Sequence, residues 1–239
     1  MLKTNFLNVI YVFFLGAISS YSLPPYNYFI INFFTFSLFF IFLYLKRKTS
    51  SNSKSFFKYG WLFGFGYFLC SLYWIAISLT FDESFKFLIP IAIVLLPAFL
   101  AIFYGLITYF FSFFYSKNVV VTFFIFSILY GSVEFIRGSI LTGFPWNLIA
   151  FSFSESIHFI QIVSVIGTYS FNLFCISLFT VPAIFILRNN RKEIIICFLF
   201  IVISTGFLIF GNSKYNQFNT LTDIKNNFTI RAVSPNISL

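Results

Sequence analysis

The sequence predicts an all-α membrane protein, a bundle of about seven transmembrane helices with its N-terminus in the cytoplasm. Three observations predict it. Of 239 residues, 59% are hydrophobic and only 9% are charged. The apolar runs repeatedly exceed the roughly 18 residues that mark a membrane-spanning helix. Between the runs stand short clusters of Lys, Arg, Pro and Asp that interrupt them. The 42 Phe accompany abundant Ile, Asn, Lys and Tyr and few Ala, so Phe is read as taking positions where Leu would serve, not as an aromatic binding surface.

Hydropathy and breakers place the spans at about 6–22, 28–45, 59–79, 90–115, 121–136, 167–187 and 194–211. Leu23, Pro24 and Pro25 end the first. No clean small-residue cleavage site precedes that turn, so the first span is read as a retained helix and not a signal sequence. Lys46, Arg47 and Lys48 end the second, and Asp82 and Glu83 the third. Lys117 and Asn118 separate the fourth from the fifth, and the basic stretch 188–192 separates the sixth from the seventh. Gly60 and Gly64 have the GxxxG spacing of closely packed membrane helices, with Gly66 as a further small position. Pro90, Pro97 and Pro182 should start, kink or loosen the fourth and sixth helices.

Cytoplasmic loops are enriched in Lys and Arg. One set of loops carries Lys3, Lys46, Arg47, Lys48, Lys54, Lys58, Lys117, Arg188, Arg191 and Lys192, and the other only Lys86, Arg137, Lys214, Lys225 and Arg231. The N-terminus is therefore expected in the cytoplasm and segment 134–146 on the outer face, together with the C-terminal tail. The net charge of +9 sits mostly in short loops beside spans, which membrane topology explains without a nucleic-acid partner. Cys70, Cys175 and Cys197 fall within expected spans and behave as small apolar side chains. The chain has no CxxC, no His cluster and no metal-ligand spacing, so neither cofactor nor metal is expected. The single His158 is read as an interfacial polar residue in the amphipathic stretch 155–166, not as a base or ligand. No heptads are visible, and a monomer is the default.

Segment 134–146, EFIRGSILTGFPW, interrupts this hydrophobic sequence with an acid, a base, two glycines and a Pro-Trp pair. Glu134 and Arg137, three residues apart, can pair on one helix face. Ionisable residues in a bilayer are expensive and point to function, although a salt bridge that anchors a helix end at headgroup level fits the same pair. Gly138 and Gly143 can turn the backbone, Pro145 holds Phe144 extended, and Trp146 suits the boundary between lipid and water. The candidate lipid- or substrate-binding residues are Trp74, Ser78, Glu134, Arg137, Phe144, Pro145 and Trp146. No catalytic residue is assigned.

Glu134, Arg137, Gly138, Thr142, Gly143, Phe144, Pro145 and Trp146 stand in the pattern E-x-x-R-G-x-x-x-T-G-F-P-W, which resembles the signature of bacterial apolipoprotein N-acyltransferases. The segment 64–78 is similar to that family's stretch ending in W-x-x-x-S, matched by Trp74 and Ser78. Phe151 with Ser152, the stretch 166–172 and, more loosely, SLPPY at 22–26 follow in the family's order. IRAVSPNI at 230–237 resembles the strand opening its catalytic domain, with Ser234 where the family usually has Gln. The resemblance implies a nitrilase-like αββα domain outside the inner membrane, inserted between the seventh and eighth spans. A Glu-Lys-Cys triad there takes an acyl chain from phospholipid as a thioester and passes it to the α-amine of the N-terminal cysteine of an apolipoprotein. The expected division is a transmembrane domain at 1–211 and a periplasmic tail at 212–239 holding the first strand of the nitrilase-like domain. The triad is expected beyond Leu239, and the isolated chain is expected to lack transferase activity. Two alternatives stay open at this point: a small permease, and a non-catalytic lipid-binding membrane scaffold.

Overall fold

The computed structural model describes residues 2–49, 52–140, 145–220 and 231. Among them there are nine α-helices and no strand: α1 (Leu2–Ser19), α2 (Ile30–Thr49), α3 (Ser53–Ser71), α4 (Ile89–Phe114), α5 (Val119–Ser139), the one-turn helices α6 (Ile157–Ile160) and α7 (Val163–Ile166), α8 (Thr168–Ile186) and α9 (Arg191–Asn219). Six of the seven expected spans each coincide with one long helix, and the third, at 59–79, runs past the end of α3. By length and composition five of these qualify to cross a membrane, six if a bent pair counts as one, and the apolar part of the first, Phe6–Ser22, is shorter. The expected strand at 230–237 lies outside the described residues apart from Arg231.

The helix starts follow from local chemistry. Asn52 and Asn118 cap α3 and α5 with side chains that accept from backbone amides in the first turn. Asn190 and Glu193 form a reciprocal capping box on α9. Lys46, Arg47 and Lys48 fill the last turn of α2, where cations complement the helix dipole. Gly167 caps α8 with φ +78° and ψ 163°, a conformation open essentially to glycine alone.

The third expected span is corrected by the structure. It is not one helix but α3 followed by a 3-10 segment, Tyr73–Thr80, bent by 47°. The Ser71 carbonyl, which would otherwise continue the ladder, accepts from the Trp74 indole at 3.1 Å and the Asn147 amide at 3.4 Å. A second 3-10 segment, Glu83–Leu88, leads into α4 behind Asp82. The Ser84 hydroxyl and amide hold the Asp82 carboxyl below its ordinary pKa. Pro90 sits in the first turn of α4, whereas Pro97 and Pro182 lie inside helices that continue through them.

Six helices close a ring, in which α1 packs on α3, α3 on α4, α4 on α5, α5 on α8, α8 on α2 and α2 on α1. The α9 helix lies outside the ring against α8 and α6. The core of the ring is aromatic. Phe39 stacks on Phe63 at 4.2 Å, Tyr104 meets Tyr130 edge-on at 5.2 Å, and Phe36 touches Phe63, Tyr130 and Phe179. Such pairs add to the burial of the rings themselves. Other phenylalanines, such as Phe14, Phe34 and Phe113, face outward.

The GxxxG reading holds in detail. A Cβ on Gly60 would lie 2.2 Å from the Tyr104 carbonyl oxygen, and one on Gly64 would lie 2.8 Å from the Tyr104 Cβ, so both glycines admit α4. Gly66 and Gly16 do the same between α3 and α1. Close backbone approach is how membrane helices gain packing, since lipid is as apolar as their side chains.

Candidate functional site

The last turn of α5 places Glu134 and Arg137 on one face, three residues apart, and both are only 1% exposed. The Arg137 Nη2 donates to Glu134 Oε2 within an ion pair. Its Nη1 donates to the Trp146 carbonyl at 3.1 Å, which ties the chain at Trp146 back to α5. The guanidinium carbon stands 5.3 Å from the centre of the Phe68 ring on α3, a cation–π contact between two buried side chains. The other carboxylate oxygen, Glu134 Oε1, and the hydroxyls of Tyr104 and Tyr130 are buried without hydrogen-bond partners among the described residues.

The Trp146 indole stacks on that of Trp74, with ring centres 5.4 Å apart and planes 26° from parallel. Both indoles are about half exposed, at 49% and 44%. Beneath them the Tyr67 hydroxyl donates to the Asn147 carbonyl at 2.9 Å. Asn147 adopts φ +57°, a left-handed conformation that Asn tolerates better than most residues. The break after Ser71, the residues after the loop and the end of α5 therefore form one hydrogen-bonded unit.

Of the expected site residues, the structure brings together Trp74, Glu134, Arg137 and Trp146. Ser78 is exposed, and its hydroxyl donates to the Ile75 carbonyl of its own segment. Pro145 is exposed on the loop. Phe144 lies outside the described residues, as do Thr142 and Gly143. Gly138 does not turn the backbone as expected. It remains helical within α5, and its lack of a Cβ admits the Tyr169 hydroxyl of α8, which would lie 1.9 Å from one.

Sequence reasoning missed Tyr67, Phe68 and Asn147. The first two stand in the segment 64–78 and the third directly follows Trp146, so adjacency to the motifs was the available signal. His158 packs edge-on against Tyr215 of α9 at 4.9 Å, outside this cluster. A cavity of about 370 Å³ lies at the start of α8, between Ala150, Phe151, Ser154, Gln161, Thr168 and other side chains, and none of the expected residues lines it. Cys175 is buried in the core, and among the described residues no group of His, Cys, Asp or Glu could hold a metal ion. The arrangement can position and wall. It presents no activated nucleophile.

The family profile described as apolipoprotein N-acyltransferase N-terminal domain matches residues 15–181. Over 236 residues the chain is 36% identical to the apolipoprotein N-acyltransferase of Rickettsia typhi, covering 94% of this chain and 44% of that protein. It is 36% identical to the Rickettsia prowazekii protein of the same name, with 93% and 43% covered. The corresponding figures for the Allorhizobium ampelinum protein of that name are 30%, 93% and 42%. The chain thus spans less than half the length of these curated relatives.

Proposed function

From the premise that this chain belongs to the apolipoprotein N-acyltransferase family, as its N-terminal membrane domain, we propose that the Arg137 cluster walls the place where a phospholipid acyl donor enters the enzyme. In this reading the whole enzyme moves an acyl chain from a membrane phospholipid to the α-amine of the N-terminal diacylglyceryl-cysteine of an apolipoprotein. The residues of this chain bind and orient. The stacked indoles of Trp74 and Trp146 form an apolar lip of the kind favoured between lipid and water. Glu134 and Arg137 fix that lip from beneath.

The observation that carries the proposal is the bond from the buried Arg137 to the Trp146 carbonyl. A buried ion pair is costly unless its remaining hydrogen bonds are made, and an anchor at headgroup level has no need of burial. Here the cost fixes the backbone at Trp146, whose side chain is the exposed indole. Arg137, at 1% exposure, acts as a positioning residue in this reading. The seven-span bundle, with a cytoplasmic N-terminus and the tryptophan lip on the periplasmic face of the bacterial inner membrane, belongs to the same proposal. Lys46, Arg47, Lys48, Lys117, Arg191 and Lys192 stand at the far end of the bundle, the end that the positive-inside rule assigns to the cytoplasm.

The test uses the chain in lipid nanodiscs containing a phospholipid with a photoactivatable diazirine near the glycerol end of one acyl chain. Adducts are expected to concentrate on the segments holding Trp74 and Trp146 and to fall several-fold in Trp146→Ala. Adducts spread evenly over the outward faces of all helices, unchanged by that substitution, would reject the entrance.

A further inference from the structure

Three polar atoms meet in the core of the ring with nothing from the chain to bond them. The second carboxylate oxygen of Glu134, Oε1, and the hydroxyls of Tyr104 and Tyr130 have no hydrogen-bond partner among the described residues. Glu134 is 1% exposed, and the two tyrosines are fully buried. A buried oxygen whose hydrogen bonds are unmade costs its full desolvation, and folded proteins leave few such atoms. A single one is tolerable. Three in one place, one of them on a carboxylate, call for a shared partner.

The contacts around them close a loop. Tyr130 and Glu134 stand four residues apart on α5 and so lie on one face. Tyr104 of α4 meets the Tyr130 ring edge-on at 5.2 Å and the Phe68 ring of α3 at 5.1 Å. The Phe68 ring in turn lies against the Arg137 guanidinium, which pairs with the other carboxylate oxygen of Glu134. Three helices therefore contribute to one polar spot inside an aromatic core. The neighbouring Tyr67 is not short of a partner, since its hydroxyl is spent on the Asn147 carbonyl.

We propose that this spot holds one ordered water molecule, bonded to Glu134 Oε1, Tyr104 and Tyr130. The donors and acceptors match. A carboxylate only accepts, so the water donates one hydrogen to Oε1, and its lone pairs accept from the two phenolic hydroxyls. That makes about three bonds, the usual complement of a buried water. Burial selects water over a lipid headgroup, because nothing larger passes between packed side chains. Charge selects it over a metal ion or an ammonium group, because Arg137 already balances Glu134. The water also extends the support below the tryptophan pair. It fixes Glu134, Glu134 pairs with Arg137, and Arg137 holds the Trp146 carbonyl.

The test is synchrotron radiolysis of the chain in lipid nanodiscs, read by mass spectrometry. Radiolysis turns water into hydroxyl radicals that oxidise the side chains beside it, so a buried ring takes up oxygen when a bound water touches it. Tyr104 and Tyr130 should be oxidised several-fold faster than Phe39, which is equally buried in the same core. In Tyr104→Phe with Tyr130→Phe, the rate at both positions should fall to that of Phe39. Removing one hydroxyl adds a test by sign. Tyr104→Phe should lower the thermal midpoint of unfolding if that hydroxyl bonds a water, and leave it unchanged or raised if the hydroxyl has no partner. Oxidation at Tyr104 and Tyr130 no faster than at Phe39, or a midpoint that Tyr104→Phe does not lower, overturns the site. If the double variant does not fold, oxidation of the unsubstituted chain decides. Neither measurement reads the lipid entrance, so the water site and the entrance stand or fall separately.

Discussion

A guanidinium at 1% exposure near the end of a membrane helix is costly unless its charge is compensated. Arg137 is answered by Glu134, by the Trp146 carbonyl and by the Phe68 ring. Removing one partner of such a pair costs about 3–5 kcal/mol, because the other is left buried and uncompensated, whereas replacing both by apolar groups costs far less. Glu134→Leu should therefore destabilise the chain by about 3 kcal/mol, and Glu134→Leu with Arg137→Met by less than that single change. Reversible unfolding in mixed micelles measures both, and strictly additive losses would show that the pair is not a unit. Spacing alone predicted that Glu134 and Arg137 share a face. The acceptor at Trp146 was not legible, because a backbone carbonyl has no sequence signature and the fold alone decides which one arrives. Tyr67 and Phe68 escaped notice for a related reason, since an aromatic pair in an aromatic-rich helix becomes part of a site only when another helix crosses it.

The helices were legible because apolar length and polar breakers act locally, and the caps Asn52, Asn118 and Asn190 sit where charge interrupts each run. The break after Ser71 was not, because it depends on Trp74 and Asn147 reaching the same carbonyl. Asn147 is 76 residues away from Ser71. Nothing within 59–79 forbids a continuous helix. Between those extremes lies Gly60, where the motif predicted close packing and the structure identified its partner on α4. Gly60→Ala would drive a Cβ to 2.2 Å from the Tyr104 carbonyl, an obstacle made of backbone that cannot rotate away. It should cost about 1–3 kcal/mol, as overpacking of a tight core does. Gly206→Ala on α9 is the control. Nothing stands within 4 Å of a Cβ there, so removing a flexible residue from a helix should be neutral or stabilising by up to about 1 kcal/mol. Thermal denaturation of the two variants in one detergent compares them, and equal losses would contradict the tight α3–α4 contact.

At the scale of the whole molecule, the ring of six helices separates two polar ends that differ in kind. One end carries neutral indoles above a buried, charge-balanced pair, and the other carries cations clustered at the end of α2 and in the connection from α4 to α5. An acyl-donor entrance at the first end can serve a periplasmic acceptor only if the bundle sits in the membrane one way round. Positive loops resist translocation, so the end holding Lys48 and Lys117 should face the cytoplasm. The 3-10 segment at Glu83–Leu88 should then face outward. Single cysteines placed at Lys48 and Ser84, in a background with Cys70, Cys175 and Cys197 replaced by Ala, separate the two orientations. A membrane-impermeant maleimide added to intact spheroplasts should label Ser84→Cys at once and Lys48→Cys only after lysis. The reverse pattern would place the tryptophan lip in the cytoplasm, where a periplasmic apolipoprotein could not reach a donor bound beside it, and the proposed entrance would fall with the orientation.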